Sequence, residues 1–394
     1  MTNSSRPLFL GCARHALSFA AGAILAMLSL TPGHADPAPT LLWQRFPGSV
    51  ETDNGTAVAV DSEGGIIVGG TTSGSMGRRN AGGGDGFVVK YSPSGRLQWR
   101  RQPASARDDA VYGVAADVTD NVIAVGNTVG VETQGFVVKY AADGKILWQR
   151  RYKPADHVRL DAVATDRAGN IIAVGSTGDT VDALVIKYGP DGQEQWRRSL
   201  RSAGVDQAAG VATDAAGNIV VVGFAYGELG GTTGTFESDP FVAAYTADGT
   251  LRWIEQSGTR GDDVAIGVAI DDAGRIFVGG AQTPDPTKAV QGYLAAFSDD
   301  GAKQWQRQFG YTDYGVAIDS AGNVVITATA PGGEFALSYT AAGALQWTMK
   351  LPGTSVGWPL KPAADAAGHL FISGSIHRPG RGDYDGYVAK YALR

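Results

Sequence analysis

A phrase ending in Ala-x-Asp and typified by Val58-Ala59-Val60-Asp61 recurs seven times in this chain, at Ala59/Asp61, Ala115/Asp117, Ala164/Asp166, Ala212/Asp214, Ala269/Asp271, Ala317/Asp319 and Ala363/Asp365. A second phrase, typified by Phe87-Val88-Val89-Lys90-Tyr91, also recurs seven times and ends in an aromatic at Tyr91, Tyr140, Tyr188, Tyr245, Phe297, Tyr339 and Tyr391. Eight residues after the first six aromatics stands a Trp: Trp99, Trp148, Trp196, Trp253, Trp305 and Trp347. Seven copies at a period of about 50 residues require each copy to be one structural unit packed on its neighbours.

No Trp follows Tyr391, while an orphan copy of the Trp phrase, Leu41-Leu42-Trp43-Gln44-Arg45, precedes the first unit. The repeat is thus circularly permuted by one strand, an arrangement that a ring requires and an open stack does not. Each unit holds four short runs rich in Val, Ile and aromatics, separated by turn signals such as Asp-x-x-Gly-Asn and Asp-Gly. The fold expected is all-β: a seven-bladed β-propeller with four antiparallel strands per blade, closed when residues 41–46 supply the outer strand of the last blade. The 56 Gly in 394 residues, about double the usual share, suit many tight turns.

The first 35 residues read as an export signal. Arg6 and Arg14 precede the apolar run Ala16 to Leu30, and Thr31-Pro32-Gly33-His34-Ala35 ends in small residues, which predicts cleavage after Ala35. The run is shorter than the roughly 20 residues of a membrane span, so no transmembrane segment is expected after cleavage. The expected location is periplasmic or secreted. The only Cys, Cys12, falls in the removed segment, so residues 36–394, read as one propeller domain, cannot use disulfides. With 33 Lys+Arg against 39 Asp+Glu, the formal net charge of −6 disfavours nucleic acid as a partner. Five His and no clustered Asp or Cys ligands predict no metal, and no cofactor is expected. The chain is expected to be a monomer.

Features that recur sevenfold are expected to be scaffold. The recurring Asp starts the turn between first and second strands, and the Trp wedges between adjacent blades. Arg or Lys beside the Trp guards an outer edge strand. Spacing then separates scaffold from site. From Trp to the next Asp is 18 residues in six units and 14 in the other, whereas Asp to aromatic varies as 30, 23, 22, 31, 26, 20 and 26. That variable interval contains the connection from second to third strand, which shares a face with the inter-blade loops, and variable loops on a rigid scaffold carry binding. The candidate binding residues are Arg78, Arg79 and Asn80 in blade 1, Tyr226, Glu228 and Phe236 in blade 4, and His377, Arg381 and Asp383 in blade 7. The inter-blade loops add Asp53, Asp109, Asp206 and Asp263, each eight residues before a recurring Asp. No Gly-x-Ser-x-Gly elbow or His-based triad is present, so no catalytic residue is assigned.

The unit Gly210-Val211-Ala212-Thr213-Asp214-Ala215-Ala216-Gly217-Asn218-Ile219, with Asp239, Phe241-Val242, Tyr245 and Gly249 through Trp253, resembles the exported bacterial beta-propeller repeat family. Its first half is similar to NHL repeats. Its second half, as in Tyr140-Ala141-Ala142-Asp143-Gly144-Lys145-Ile146-Leu147-Trp148, is similar to the tryptophan-docking repeat of pyrroloquinoline-quinone enzymes. The resemblance implies a propeller that serves binding, scaffolding or catalysis. The leading expectation is a non-catalytic module for a protein or glycan ligand. The alternative is a hydrolase or lyase acting on a polysaccharide or lactone at the central channel mouth, and third stands a quinone-dependent oxidoreductase.

Overall fold

The computed structural model describes residues 37–393 except 77–79, 81, 104, 130–132, 154–155, 179–180, 230–236, 311, 331, 352–360 and 378–383. The expected leader, residues 1–35, lies outside the described residues. Among the described residues, regular structure consists of 28 strands, numbered along the chain, in seven four-stranded antiparallel sheets. Blade 1 comprises β2 (Asp53–Val60), β3 (Ile66–Thr72), β4 (Asp85–Tyr91) and β5 (Leu97–Arg101). Blades 2 to 6 repeat that order and open with β6 (Asp108–Ala116), β10 (Arg159–Thr165), β14 (Asp206–Thr213), β18 (Val264–Ile270) and β22 (Thr312–Ile318). In the last blade β26 (Lys361–Ala364), β27 (His369–His377) and β28 (Tyr384–Ala392) are completed by β1 (Thr40–Arg45), which pairs antiparallel with β28. The seven-bladed ring and its closure by the N-terminal strand are thus as the repeat arithmetic predicts.

The core lies between blades. Seven apolar clusters each draw on two adjacent blades, as where Ile172, Val174 and Val185 of blade 3 meet Ile219, Val221, Phe241 and Tyr245 of blade 4. Middle strands therefore read as continuous apolar runs, because both their faces are covered. All seven residues of β4 are buried.

The recurring Asp makes the first hairpin. Asp61 Oδ1 accepts from the backbone N–H of Glu63 at 3.1 Å and of Gly65 at 2.6 Å, and Gly64 takes φ 78° to complete the turn. The same two bonds recur at Asp117, Asp166, Asp214, Asp271, Asp319 and Asp365. In three blades a buried Lys on the third strand reaches back to the other oxygen: Lys90–Asp61 at 2.7 Å, Lys139–Asp117 at 2.8 Å and Lys187–Asp166 at 3.0 Å.

The Trp wedges are hydrogen-bonded across blades. The indole N–H of Trp99 donates to Ala142 O at 2.8 Å, and those of Trp148, Trp196, Trp253 and Trp305 donate to the corresponding turn of the following blade. That turn contains a Gly with positive φ, and the ring packs on it so closely that a Cβ at Gly192 would lie 2.7 Å from Trp148. The Arg two places after the Trp does more than guard an edge. Arg101, Arg150, Arg198 and Arg307 lie 5.3–5.9 Å from the neighbouring Trp ring centroids, and their Nε donates to the carbonyl of that Gly.

Candidate binding site at the loop face

Backbone bonds place the variable loops and the inter-blade loops on one face. Asp109 N donates to Gly84 O at 2.9 Å, Asp206 N to Val181 O at 2.7 Å and Asp263 N to Ser238 O at 2.8 Å. In each case the second-to-third-strand loop of one blade meets the start of the next blade's first strand. The Asp turns occupy the opposite end.

Asp53, Asp109, Asp206 and Asp263 are on the loop face as expected, but buried, at 0%, 2%, 0% and 1% exposure. Each carboxylate folds its own loop. Asp53 accepts from Ser49 N at 2.7 Å, Asp206 from Ser202 N and Ser202 Oγ at 2.6 Å each, and Asp263 from Thr283 N at 2.7 Å and from Thr259 N. Asp109 accepts from Ser105 N and Thr128 Oγ1, with the Arg151 guanidinium 3.6 Å away. Burial pushes the carboxyls of Asp53, Asp206 and Asp263 up, their hydroxyl and amide donors pull them back in part, and nearby Asp385, Asp182 and Asp239 respectively raise them further.

The other candidates are scattered around the rim. Asn80 is engaged within its own loop, donating from Nδ2 to Ser73 O at 2.7 Å. Tyr226 and Glu228 are exposed, and the Tyr226 ring meets Phe224 edge-on at 6.1 Å. His377 is half-buried, its ring 5.9 Å from that of Tyr384. Arg78, Arg79, Phe236, Arg381 and Asp383 lie outside the described residues.

A tighter polar group, absent from that candidate set, sits on the innermost strands. Five residues before the recurring Asp, the first strands of blades 1 to 6 carry a β-bulge, at Thr56, Tyr112, Asp161, Ala209, Ile266 and Tyr314. A bulge re-aims the extra side chain. Thr56 Oγ1 accordingly donates to Val111 O of the following blade at 2.6 Å. In blades 2 to 4 the bulge residues and their neighbours join. Arg159 Nε donates to Asp161 Oδ1 at 2.9 Å, Gln207 Nε2 donates to Asp161 Oδ2 at 3.0 Å, and the Arg159 guanidinium lies 5.8 Å from the Tyr112 ring centroid. Asp161 and Tyr112 thus bracket one guanidinium at the loop-face half of the innermost strands. Proximity to Asp161 pushes the Arg159 guanidinium up, against burial. Burial pushes the Tyr112 hydroxyl up, with Arg159 opposing it. The sequence signal is variation in residue type at one fixed strand position, followed each time by Ala or Gly.

At the turn-face end of the channel a cavity of about 330 Å³ is lined by Thr165, Thr213, Asp117, Asp166, Asp214 and Asp271 among others. Burial alone would raise Asp117, but hydrogen bonds from Lys139, Asn121 and Thr119 outweigh it and hold the carboxyl at about 2. Asp166 is likewise lowered, by Asn170 and Lys187 against burial. Asp117, Asp166, Asp214 and Asp271 each accept hydrogen bonds from the amides of their own turns. No group of three or more His, Cys, Asp or Glu able to hold a metal occurs among the described residues. No described helix is long and apolar enough to cross a membrane.

No family model matches the sequence, and no curated protein matches it. Solved structures do. The WD40 domain of Neurospora crassa Pan2 superposes with TM-score 0.60 at 11% identity, covering 90% of this chain and 96% of that one. A protein of unknown function from Dyadobacter fermentans superposes with TM-score 0.52 at 10% identity, covering 91% and 100%. Virginiamycin B lyase from Staphylococcus aureus, solved with quinupristin, gives TM-score 0.49 at 10% identity over 74% and 97%. At such identities the first two likenesses speak for the propeller fold alone, and the third carries no argument about this chain's chemistry.

Proposed function

We propose that this chain is an exported, non-catalytic propeller of the bacterial beta-propeller-repeat kind that binds a protein or glycan ligand at its loop face. The observation that carries the reading is the Tyr112, Arg159, Asp161 and Gln207 group. Recurring polar side chains elsewhere close turns or join blades, whereas this group is particular to blades 2 to 4 and sits beneath the variable loops. An aromatic ring, a guanidinium, a carboxylate and an amide supply the mix of flat apolar area and oriented hydrogen bonds that ligand sites use. The lyase or hydrolase alternative gains no specific support from the site.

The test is binding of residues 36–394 to glycan and peptide arrays, repeated with Tyr112→Ala and Gln207→Ala. A ligand whose affinity falls about tenfold or more in both variants, at unchanged melting temperature, supports the reading. A ligand bound equally by all three proteins, or turnover of a polysaccharide or lactone, overturns it.

A further inference from the structure

Blade interfaces are plugged at a recurring place in four blades, and the interface between blades 1 and 2 is not among them. Four residues beyond the outer-strand Trp stand Tyr152, Leu200, Phe309 and Leu351 in blades 2, 3, 5 and 6, and each joins the apolar cluster shared with the next blade. Blade 1 has Pro103 there, and a cavity of about 450 Å³ opens between blades 1 and 2. Small residues also stand at this place in blade 4, Ser257, and in the closing strand, Pro47. The blade 1–2 seat differs by its lining.

Its floor is Val138 and the Tyr140 ring, only 2% and 1% exposed, and Ile146 forms an apolar lip at 50% exposure. Two guanidiniums flank the Tyr140 hydroxyl, one from each blade. Arg101 is held over the Trp99 ring at 5.6 Å, with Nε donating to Gly144 O at 2.6 Å. Arg151 is held over the Phe136 ring at 5.1 Å, with Nη1 donating to Thr128 Oγ1 at 3.0 Å and lying 3.6 Å from Asp109. Burial pushes the Tyr140 hydroxyl up, and both guanidiniums pull it back. Arg100, Met76 and Gln149 complete the wall, Gln102 is turned inward onto Asp85 at 2.7 Å, and no carboxylate lines the cavity among the described residues.

We propose that this seat binds a carboxylate-bearing sugar ring, a hexuronate, with its carboxylate between Arg101 and Arg151 and its C–H face on the Val138–Tyr140 floor. Two fixed guanidiniums recognise a carboxylate better than a flexible ammonium would. The remaining polar atoms are largely donors, which match hydroxyl and ring oxygens, and the cavity is in the size range of small-ligand sites. The site is separate from the loop-face group, so substitutions at Tyr112 and Gln207 leave it intact.

Calorimetric titration of residues 36–394 with trigalacturonate and with polygalacturonate tests the proposal, with neutral galactan and polyglutamate as controls. Saturable binding of both uronates is expected, weakening as salt is raised. Pro103→Tyr, which fills the seat as Tyr152 does in blade 2, and Arg151→Gln are each expected to weaken it about tenfold or more at unchanged melting temperature. Gln at position 151 keeps an amide donor for Thr128 and Asp109, whose carboxylate also retains its Ser105 and Thr128 donors, which keeps the test available if Pro103→Tyr fails to fold. The proposal is overturned by absent uronate binding, by binding of the polymer alone, or by affinity unchanged in Arg151→Gln. Polyglutamate binding that is lost in the same variants would assign the seat to an acidic peptide and overturn the sugar.

Discussion

The two ends of the ring use the same residue type in opposite ways. At the turn face Asp61, Asp117 and Asp166 each meet a buried Lys at 2.7–3.0 Å, and the turn amides fill the other oxygen. At the loop face Asp53, Asp206 and Asp263 are as deeply buried but take their hydrogen bonds from hydroxyls and amides, each with another Asp nearby and Asp206 also with Arg201. Ionisation is favoured at Asp117 and Asp166 and opposed at Asp53, Asp206 and Asp263. In blades 1 to 3 the turn-face carboxylate is electrostatically satisfied. At Asp53, Asp206 and Asp263 the loop face holds carboxylates without a direct ion pair to a Lys, alongside the side chains that differ from blade to blade.

Removing one partner from the satisfied end gives the largest effect. Asp117→Ala leaves Lys139 buried at 3% exposure without its counter-ion, and is expected to cost about 3–5 kcal/mol, the usual penalty for breaking a buried pair from one side. Denaturant unfolding measures it. A cost below about 1 kcal/mol would show that the pair behaves as a surface contact and would erase the contrast between the ends.

Trp196→Ala tests the joint between blades 3 and 4. The indole packs with the cluster of that interface, donates to Ala247 O at 3.2 Å and lies 6.5 Å from the Tyr245 ring. Loss of such an aromatic costs about 3–5 kcal/mol, and because Trp196 is half-buried the lower end of that range is expected. A melting shift near zero would remove the wedge reading.

Blade number, ring closure, turn Asp and Trp wedge were all legible in the sequence because each is a demand made once per blade and answered alike each time. Recurrence did not reveal where a side chain spends its bonds. Asp53 and Asp206 recur beside the variable loops and so read as binding residues, yet their oxygens close their own loops. Arg101 and Arg198 read as edge guards, while their Nε atoms join the next blade's turn. Repeat spacing missed the Tyr112, Arg159, Asp161 and Gln207 group for the converse reason. A single-residue bulge turns Asp161 toward Gln207 of the next blade, and no spacing between repeats changes when it does so.

A smaller effect is expected where Trp meets Gly. Gly192 has φ 81°, and its missing Cβ would lie 2.7 Å from Trp148. Gly192→Ala adds a left-handed backbone cost of about 1–2 kcal/mol to displacement of the ring. Gly322, at φ 78°, has nothing within 4 Å of the same position, so Gly322→Ala should cost the backbone part alone. Equal losses in the two variants would mean that the ring contact contributes nothing.

The smallest expected effect at neutral pH separates the two ends most directly. Asp206 is raised above the ordinary carboxylate value of 3.8, so as pH falls the folded chain takes up its proton before the unfolded chain does. Its contribution to stability therefore increases on acidification toward 3.8. Asp117, held at about 2 against 3.8, behaves oppositely: its contribution is complete above 3.8 and is lost as pH falls toward 2. Asp206→Asn retains an oxygen for the Ser202 amide and removes the opposed charge beside Asp182, which Arg201 contacts at 2.6 Å. At pH 7 its stability should lie within about 1 kcal/mol of the parent. Between pH 7 and 4 it should lack the parent's gain, while the loss below pH 4 set by the turn-face carboxylates persists. Parallel stability curves for parent and variant across pH 7 to 2 would show that Asp206 is no less settled in its ionised form than Asp117, and that burial without a Lys does not distinguish the loop face.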